Sequence, residues 1–324
     1  MTIARRLRLA LRRGPQNERP FAALQENFLH CQTCVKLFYL VSIVIAFTMM
    51  PMLRSEVEGA QDLDLLWPVF WIAPYNLRFV VDLLTFGCFA SALLACWKPS
   101  LLVARMAFAL FLLLAGALHG SFGGINHVYH IWIWVSVVFV FLPRAADRVG
   151  RLAYCLTFAL AQGLVLFFYS LAGFWKIGSG VVMLLDGREG NFSPRGLALT
   201  LADRMVQTGT EPLLARLVID DYYISWGLFL GLIYAQFVAV VIVFRPRLHV
   251  IWGLILVGFH TGTWLLMEIS NVQHLMVLII LMVMSPFAKD WRSWETLGDL
   301  PLFGGLFRIR KAEPHAPSLV GQTA

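Results

Sequence analysis

The residues best equipped for chemistry in this 324-residue chain are ionisable side chains set in or beside long apolar runs: Asp82, His119, His127, His130, Lys176, His260, Glu268 and His274. A charge in hydrocarbon is costly, so each needs a partner, water or a function. Lys176 closes the stretch Tyr169-Ser-Leu-Ala172-Gly173-Phe-Trp175-Lys176. The small Ala172 and Gly173 let a second helix approach closely. An amine held beside such a contact is partly desolvated, a state in which a lysine serves as a base. His260 sits in Gly258-Phe-His-Thr-Gly-Thr-Trp264, within an apolar run and among hydroxyls. That setting suits a proton relay or a hydrogen bond to a bound group. The competing readings are structural: a lysine at a span end snorkels to the interface, and a histidine inside a span bonds a neighbouring helix.

Three other motifs carry less. Cys31-Gln-Thr-Cys34 is a lone CxxC without a second pair or a strand–helix context, which argues against a metal or redox role. Cys88, Cys96 and Cys155 lie in apolar segments, so no disulfide framework is expected. Asn191-Phe-Ser193 is a glycosylation sequon followed by Pro194, and Gly227 and Gly231 have the spacing used in close helix packing.

The elements that must position these groups are membrane spans. The chain is 59% hydrophobic and 14% charged, with a mean hydropathy of +0.72. A soluble domain is about 25% charged, and one this apolar could not cover its surface with polar groups. The net charge of +7 does not indicate nucleic acid, because the basic residues sit between apolar runs rather than along one stripe. Eight runs approach the roughly 20 residues a spanning helix needs: 35–53, 78–96, 101–119, 128–143, 152–176, 224–244, 249–268 and 272–287. The runs are continuous rather than alternating, which predicts an all-α transmembrane bundle and no strands. Residues 1–34 then form a basic segment with an interfacial helix over 20–34, residues 35–287 the membrane domain, and residues 288–324 a polar tail. No cleavable signal peptide is expected.

Loop charge sets the orientation. Arg5, Arg6, Arg8, Arg12, Arg13, Lys98, Arg144, Arg148, Arg151, Arg245 and Arg247 fall on one side. Most acids, among them Glu56, Glu58, Asp62, Asp186, Glu211 and Asp221, fall on the other. The positive-inside rule places both termini in the cytoplasm, in agreement with an even number of spans. Nearly all the intramembrane ionisable residues then lie toward the outer face, flanked by outer loops at 54–77 and 177–223. Internal repeats and pairs of Gly/Pro-broken spans are lacking, which weighs against a transporter.

Tyr169-Ser-Leu-Ala172-Gly173-Phe-Trp175-Lys176-Ile177 resembles the Tyr-x-x-Ala-Gly-x-x-Lys-Leu signature of the vitamin K-dependent gamma-carboxylase membrane domain. In bacteria the same domain is the horizontally transferred transmembrane (HTTM) domain. Asn126-His127-x-Tyr129 resembles the family's Asn-His-x-Tyr element, and Phe259-His260 its late Phe-His segment. The similarity covers roughly residues 20–290. It implies that Lys176 acts as base on a reduced, vitamin K-like quinone, with His127 supporting the site and His260 as a third catalytic residue. It further implies that Asn126, Tyr129, Tyr169 and Trp175 bind the cofactor. In the carboxylase the deprotonated quinol reacts with oxygen, and the resulting base takes a proton from a glutamate side chain that then captures carbon dioxide. The carboxylase continues into a large extramembrane domain that holds its protein substrate, whereas here fewer than 40 residues follow the last span. Two expectations follow from the resemblance. One is an HTTM-type enzyme of the bacterial inner membrane, acting on an extracytoplasmic protein or small molecule. The other is a non-enzymatic protein that binds membrane lipid or a quinone, or docks a partner.

Overall fold

The computed structural model describes residues 18–59, 64–122, 129–289, 291, 292 and 294–307. The basic residues before Glu18, the Asn126–His127 pair and the end of the tail lie outside these residues. The described chain is helical, without strands. Five of its helical stretches are long and apolar enough to cross a membrane, the mark of an integral membrane protein.

Helix α1 spans Glu18–Gly59, α2 Leu77–Trp97, α3 Leu102–Gly120, α4 His130–Val140 and α5 Arg148–Leu185. Then come α6 (Gly196–Thr208), α7 (Ala215–Asp220), α8 (Tyr222–Phe237), α9 (His249–Met267), α10 (Val272–Leu278) and α11 (Gly304–Phe307). Each of the eight apolar runs coincides with helical structure, but their lengths differ from an even set of spans. The run at 224–244 is α8 continued by a 3-10 segment, Ala239–Phe244, and the run at 272–287 is α10 continued by a π-helical turn, Ile279–Val283.

Two helices overrun the boundaries drawn from hydropathy. Helix α1 is unbroken through residue 34, so the interfacial helix and the first span are one 42-residue rod. Helix α5 has 38 residues and ends at Leu185, nine residues beyond the apolar run. At 1.5 Å per residue, α5 is about 57 Å long against a hydrocarbon core of about 30 Å. Intrahelical bonding does not stop where lipid does. Gly178 and Gly180 look like loop residues in the sequence yet lie within α5, and the chain turns only after Asp186, at Gly187 (φ 65°). The N-terminal end of α5 is capped by Asp147, whose carboxylate accepts from Gly150 N–H at 2.7 Å.

Helices α1 to α4 pack in sequence order, each against the next, and α5 packs on α4, α1 and α8. The core between α1, α3 and α4 is aromatic. Phe38 stacks on Trp132 with ring centroids 4.6 Å apart, and Phe108 and Phe139 meet Phe38 edge-on. Such pairs add about 0.5–1.5 kcal/mol each beyond area burial. The polar edge of Trp132 is satisfied too: its indole N–H donates to Ser42 Oγ at 3.1 Å. Among the described residues the Gly227–Gly231 pair packs against no other helix, because neither glycine has an atom within 4 Å of its Cβ position.

Candidate functional site

Lys176 lies seven residues, two turns, after Tyr169 on the same face of α5. What brings a partner to it is Gly173. A Cβ on Gly173 would sit 2.4 Å from Phe237 N and 2.8 Å from Gln236 C, so only glycine lets α8 touch α5 backbone to backbone. One turn earlier, Ser170 Oγ accepts from Val240 N–H at 2.9 Å, just where α8 gives way to its 3-10 continuation. From α9, Trp252 N–H donates to Ala235 O at 2.9 Å. These contacts pin residues 235–240, and Gln236 is thereby presented to Lys176: the Nζ donates to Gln236 Oε1 at 2.8 Å. Gln236 is fully buried and Lys176 half-buried.

The second half of the cluster comes from α9 and α10. His260 Nε2 and the Tyr169 hydroxyl are hydrogen-bonded at 2.5 Å, and both residues are buried. The His274 ring stacks on His260 with centroids 5.0 Å apart and 17° between planes. Phe259 links the halves, its ring 5.8 Å from Lys176 Nζ and 4.8 Å from the His260 ring. His260 Nδ1 is buried and has no hydrogen-bond partner among the described residues. A buried polar atom without a partner costs about 1–3 kcal/mol, so this nitrogen is a position where an added hydrogen-bond partner would be favourable. The hydroxyls of Thr261 and Thr263 are not part of the site. They bond back to Val257 O and His260 O within α9.

Three of the residues singled out in the sequence, Tyr169, Lys176 and His260, are therefore together. Trp175 is 76% exposed and faces away from the cluster. Tyr129 occupies a neighbouring one: its hydroxyl reaches Met52 Sδ at 3.8 Å, and its ring meets His119 edge-on. His119 Nδ1 in turn lies 2.9 Å from the Glu56 carboxylate. Helix α10 runs beside both clusters: it packs on α4, which follows Tyr129, while its His274 stacks on His260. Asp82 and Glu268 are engaged elsewhere, with Arg54 and with Thr210 Oγ1. Asn126 and His127 fall outside the described residues.

Neutral polar residues were the ones the sequence reading passed over. Gln236 is one. Gln162, also fully buried, donates to Leu281 O and to Ser285 Oγ, and Ser285 Oγ also meets His249 Nδ1 at 2.8 Å. Leu281 lies in the π-helical turn, where the regular i→i−4 bonding is interrupted. The available signal was a glutamine inside an apolar run, which carries nearly the obligation of a charge but is not ionisable.

Asn191 ties the loop that follows α5 to the site. Its Nδ2 donates to Lys176 O and to Ser179 Oγ, each at 2.9 Å, and the Phe192 ring lies over Gly180. The nitrogen that a glycan would modify is thus committed to α5. Replacing Asn191 by Ala is expected to cost roughly 1–2 kcal/mol locally. Hydrogen exchange of residues 186–195 should then accelerate about tenfold or more, with little change elsewhere; unchanged protection would show that the loop is held by other contacts.

Comparison of the chain with family models, curated proteins and solved structures finds no match.

Proposed function

We propose that this chain is an HTTM-type membrane protein with eight crossings and both termini cytoplasmic, set in a bacterial inner membrane, that binds a reduced quinone at the Tyr169–Lys176–His260 cluster and uses Lys176 as base. The observation that carries the proposal is the convergence of α5, α8, α9 and α10 on one half-buried amine, held by a neutral glutamine two turns from a buried tyrosine–histidine pair. What supports eight crossings is the five long helices together with three shorter apolar helical stretches.

The residues present suit a hydroxylated aromatic ring. Phe259 offers an aromatic face beside the amine, and His260 Nδ1 offers an unfilled hydrogen-bonding position. A reduced quinone supplies an acidic hydroxyl and two electrons. The chain's own groups supply the rest. Gln236 Oε1 accepts one N–H of Lys176 and so fixes where the nitrogen lone pair points. That lone pair takes the hydroxyl proton, which forms the third N–H of the ammonium. The Tyr169–His260 pair orients the ring through its remaining nitrogen and carries a proton between buried positions. The stretch 186–195, tied down by Asn191, lies over the outer end of α5 and restricts water at the amine.

The test is oxygen uptake by the purified protein in lipid nanodiscs with a panel of hydroquinones, alongside mass spectrometry of co-purified lipids. Quinol-dependent uptake together with a retained quinone supports the reading. A retained quinone without turnover identifies a non-enzymatic quinone-binding protein; absence of both a retained quinone and quinol-dependent uptake overturns the quinone assignment.

A further inference from the structure

We infer that the cavity between the start of α3 and the end of α4 is a binding site for the phosphate of an anionic membrane lipid. The cavity has a volume of about 670 Å³ and is lined by Ser100, Leu102, Arg105, Met106, Phe141 and Arg144, among others. Ligand sites commonly measure about 300–1,000 Å³.

The centre of the site is Arg105. Its side chain is only 3% exposed, and one guanidinium nitrogen donates to Phe139 O at 2.9 Å and Leu142 O at 2.7 Å. These carbonyls end α4, so the guanidinium is anchored and cannot swing out to water. Its Nε has no hydrogen-bond partner among the described residues. The two carbonyl oxygens take up the hydrogens of that one nitrogen without cancelling the charge, and no carboxylate forms an ion pair with Arg105 or Arg144 among the described residues. A fixed cation in an apolar setting without a counter-charge is unfavourable. An anion in the cavity removes that deficit.

Two further groups point the same way. Helix α3 begins at Leu102 after Leu101, which provides no side-chain cap, so its first-turn N–H groups are unfilled at the cavity's edge. The exposed Arg144 lies across the opening and Ser100 adds a hydroxyl. Cation, hydroxyl and helix N-terminus together form the donor set that phosphate esters favour.

The walls identify the source of the phosphate. Leu102, Met106 and Phe141 are 47%, 52% and 73% exposed, and they extend the cavity along the outside of the bundle. That surface fits acyl chains. Trp97, 72% exposed with the Lys98 ammonium 4.8 Å from its ring, marks headgroup depth just before Ser100. Arg148 and Arg151 begin α5 close by, so the site lies at the basic end, where basic pockets between helices collect anionic headgroups. Lys176 is about 42 Å further along α5, which makes this site independent of the proposed quinone chemistry.

Native mass spectrometry of the purified full chain would test the inference with phosphatidylglycerol, phosphatidylcholine and inorganic phosphate as probes. Wild type should bind phosphatidylglycerol about tenfold more tightly than phosphatidylcholine. Arg144→Ala should reduce that preference severalfold. Met106→Trp, which fills the apolar channel and leaves every charge in place, should weaken binding of phosphatidylglycerol itself. Because neither variant removes the Arg105 anchor, both should fold. Equal binding of the two lipids, or wild-type binding by both variants, would overturn the site. Displacement of the lipid by inorganic phosphate at equal concentration would overturn its assignment to a lipid.

Discussion

Lys176→Met is expected to lower quinol turnover by about 10²–10⁴-fold, the usual contribution of a positioned general base. Methionine keeps most of the volume and flexibility of the side chain but cannot take a proton. It also strands Gln236 Oε1, which is buried, at a cost of about 1–3 kcal/mol. Thermal unfolding must therefore accompany the assay, so that lost activity is not mistaken for lost protein. Lys176→Arg separates two roles. Arginine retains the cation and donors toward Gln236 but is not deprotonated at accessible pH. If Lys176 is the base, both variants are inactive. If it serves only as a fixed positive charge, the arginine variant keeps activity within about tenfold and the assignment as base fails. Tyr169→Phe should leave Lys176 in place and lower turnover less, because it removes only the hydroxyl bonded to His260.

The largest structural effect is expected at Gly173. An added methyl would lie 2.4 Å from Phe237 N and 2.7 Å from Phe237 Cα, backbone atoms of a helix held on its other side by Trp252. In an exposed helix, alanine would be better than glycine by about 1 kcal/mol. Here the clash outweighs that gain, since overpacking that must move backbone costs about 1–3 kcal/mol and more for larger side chains. Gly173→Ile is therefore expected to lower the unfolding temperature in detergent by several degrees, and to draw Gln236 away from Lys176 even where the protein folds. Gly178 provides the control. It lies in the same helix with nothing within 4 Å of its Cβ position, so Gly178→Ile should change the unfolding temperature far less than Gly173→Ile. Equal behaviour of the two glycines would mean that the α5–α8 contact does not organise the site.

Much of this protein is written in local sequence. Continuous apolar runs dictate helices because hydrocarbon leaves backbone groups no other partner, and all eight runs are helical. Ala172-Gly173 beside Lys176 marks a close helix contact because only small residues permit one, and Gly173 makes it. Local pattern is weaker at helix ends, since a helix continues into water at little cost. That is why α1 and α5 outrun their apolar runs. It is silent on pairing. The GxxxG of α8 has the right spacing but meets no other helix among the described residues, while the neutral Gln236 and Gln162 prove to be the polar hubs. Local sequence alone specifies a helical membrane protein and the runs that carry its chemistry-bearing residues. It takes the packed helices to show that His260 meets Tyr169, that Lys176 meets Gln236, that Trp175 is exposed, and that Arg105 is anchored with no carboxylate partner among the described residues. The physical reason is that helical periodicity sets which face a residue occupies, whereas the identity of the neighbouring face depends on how helices distant in sequence pack.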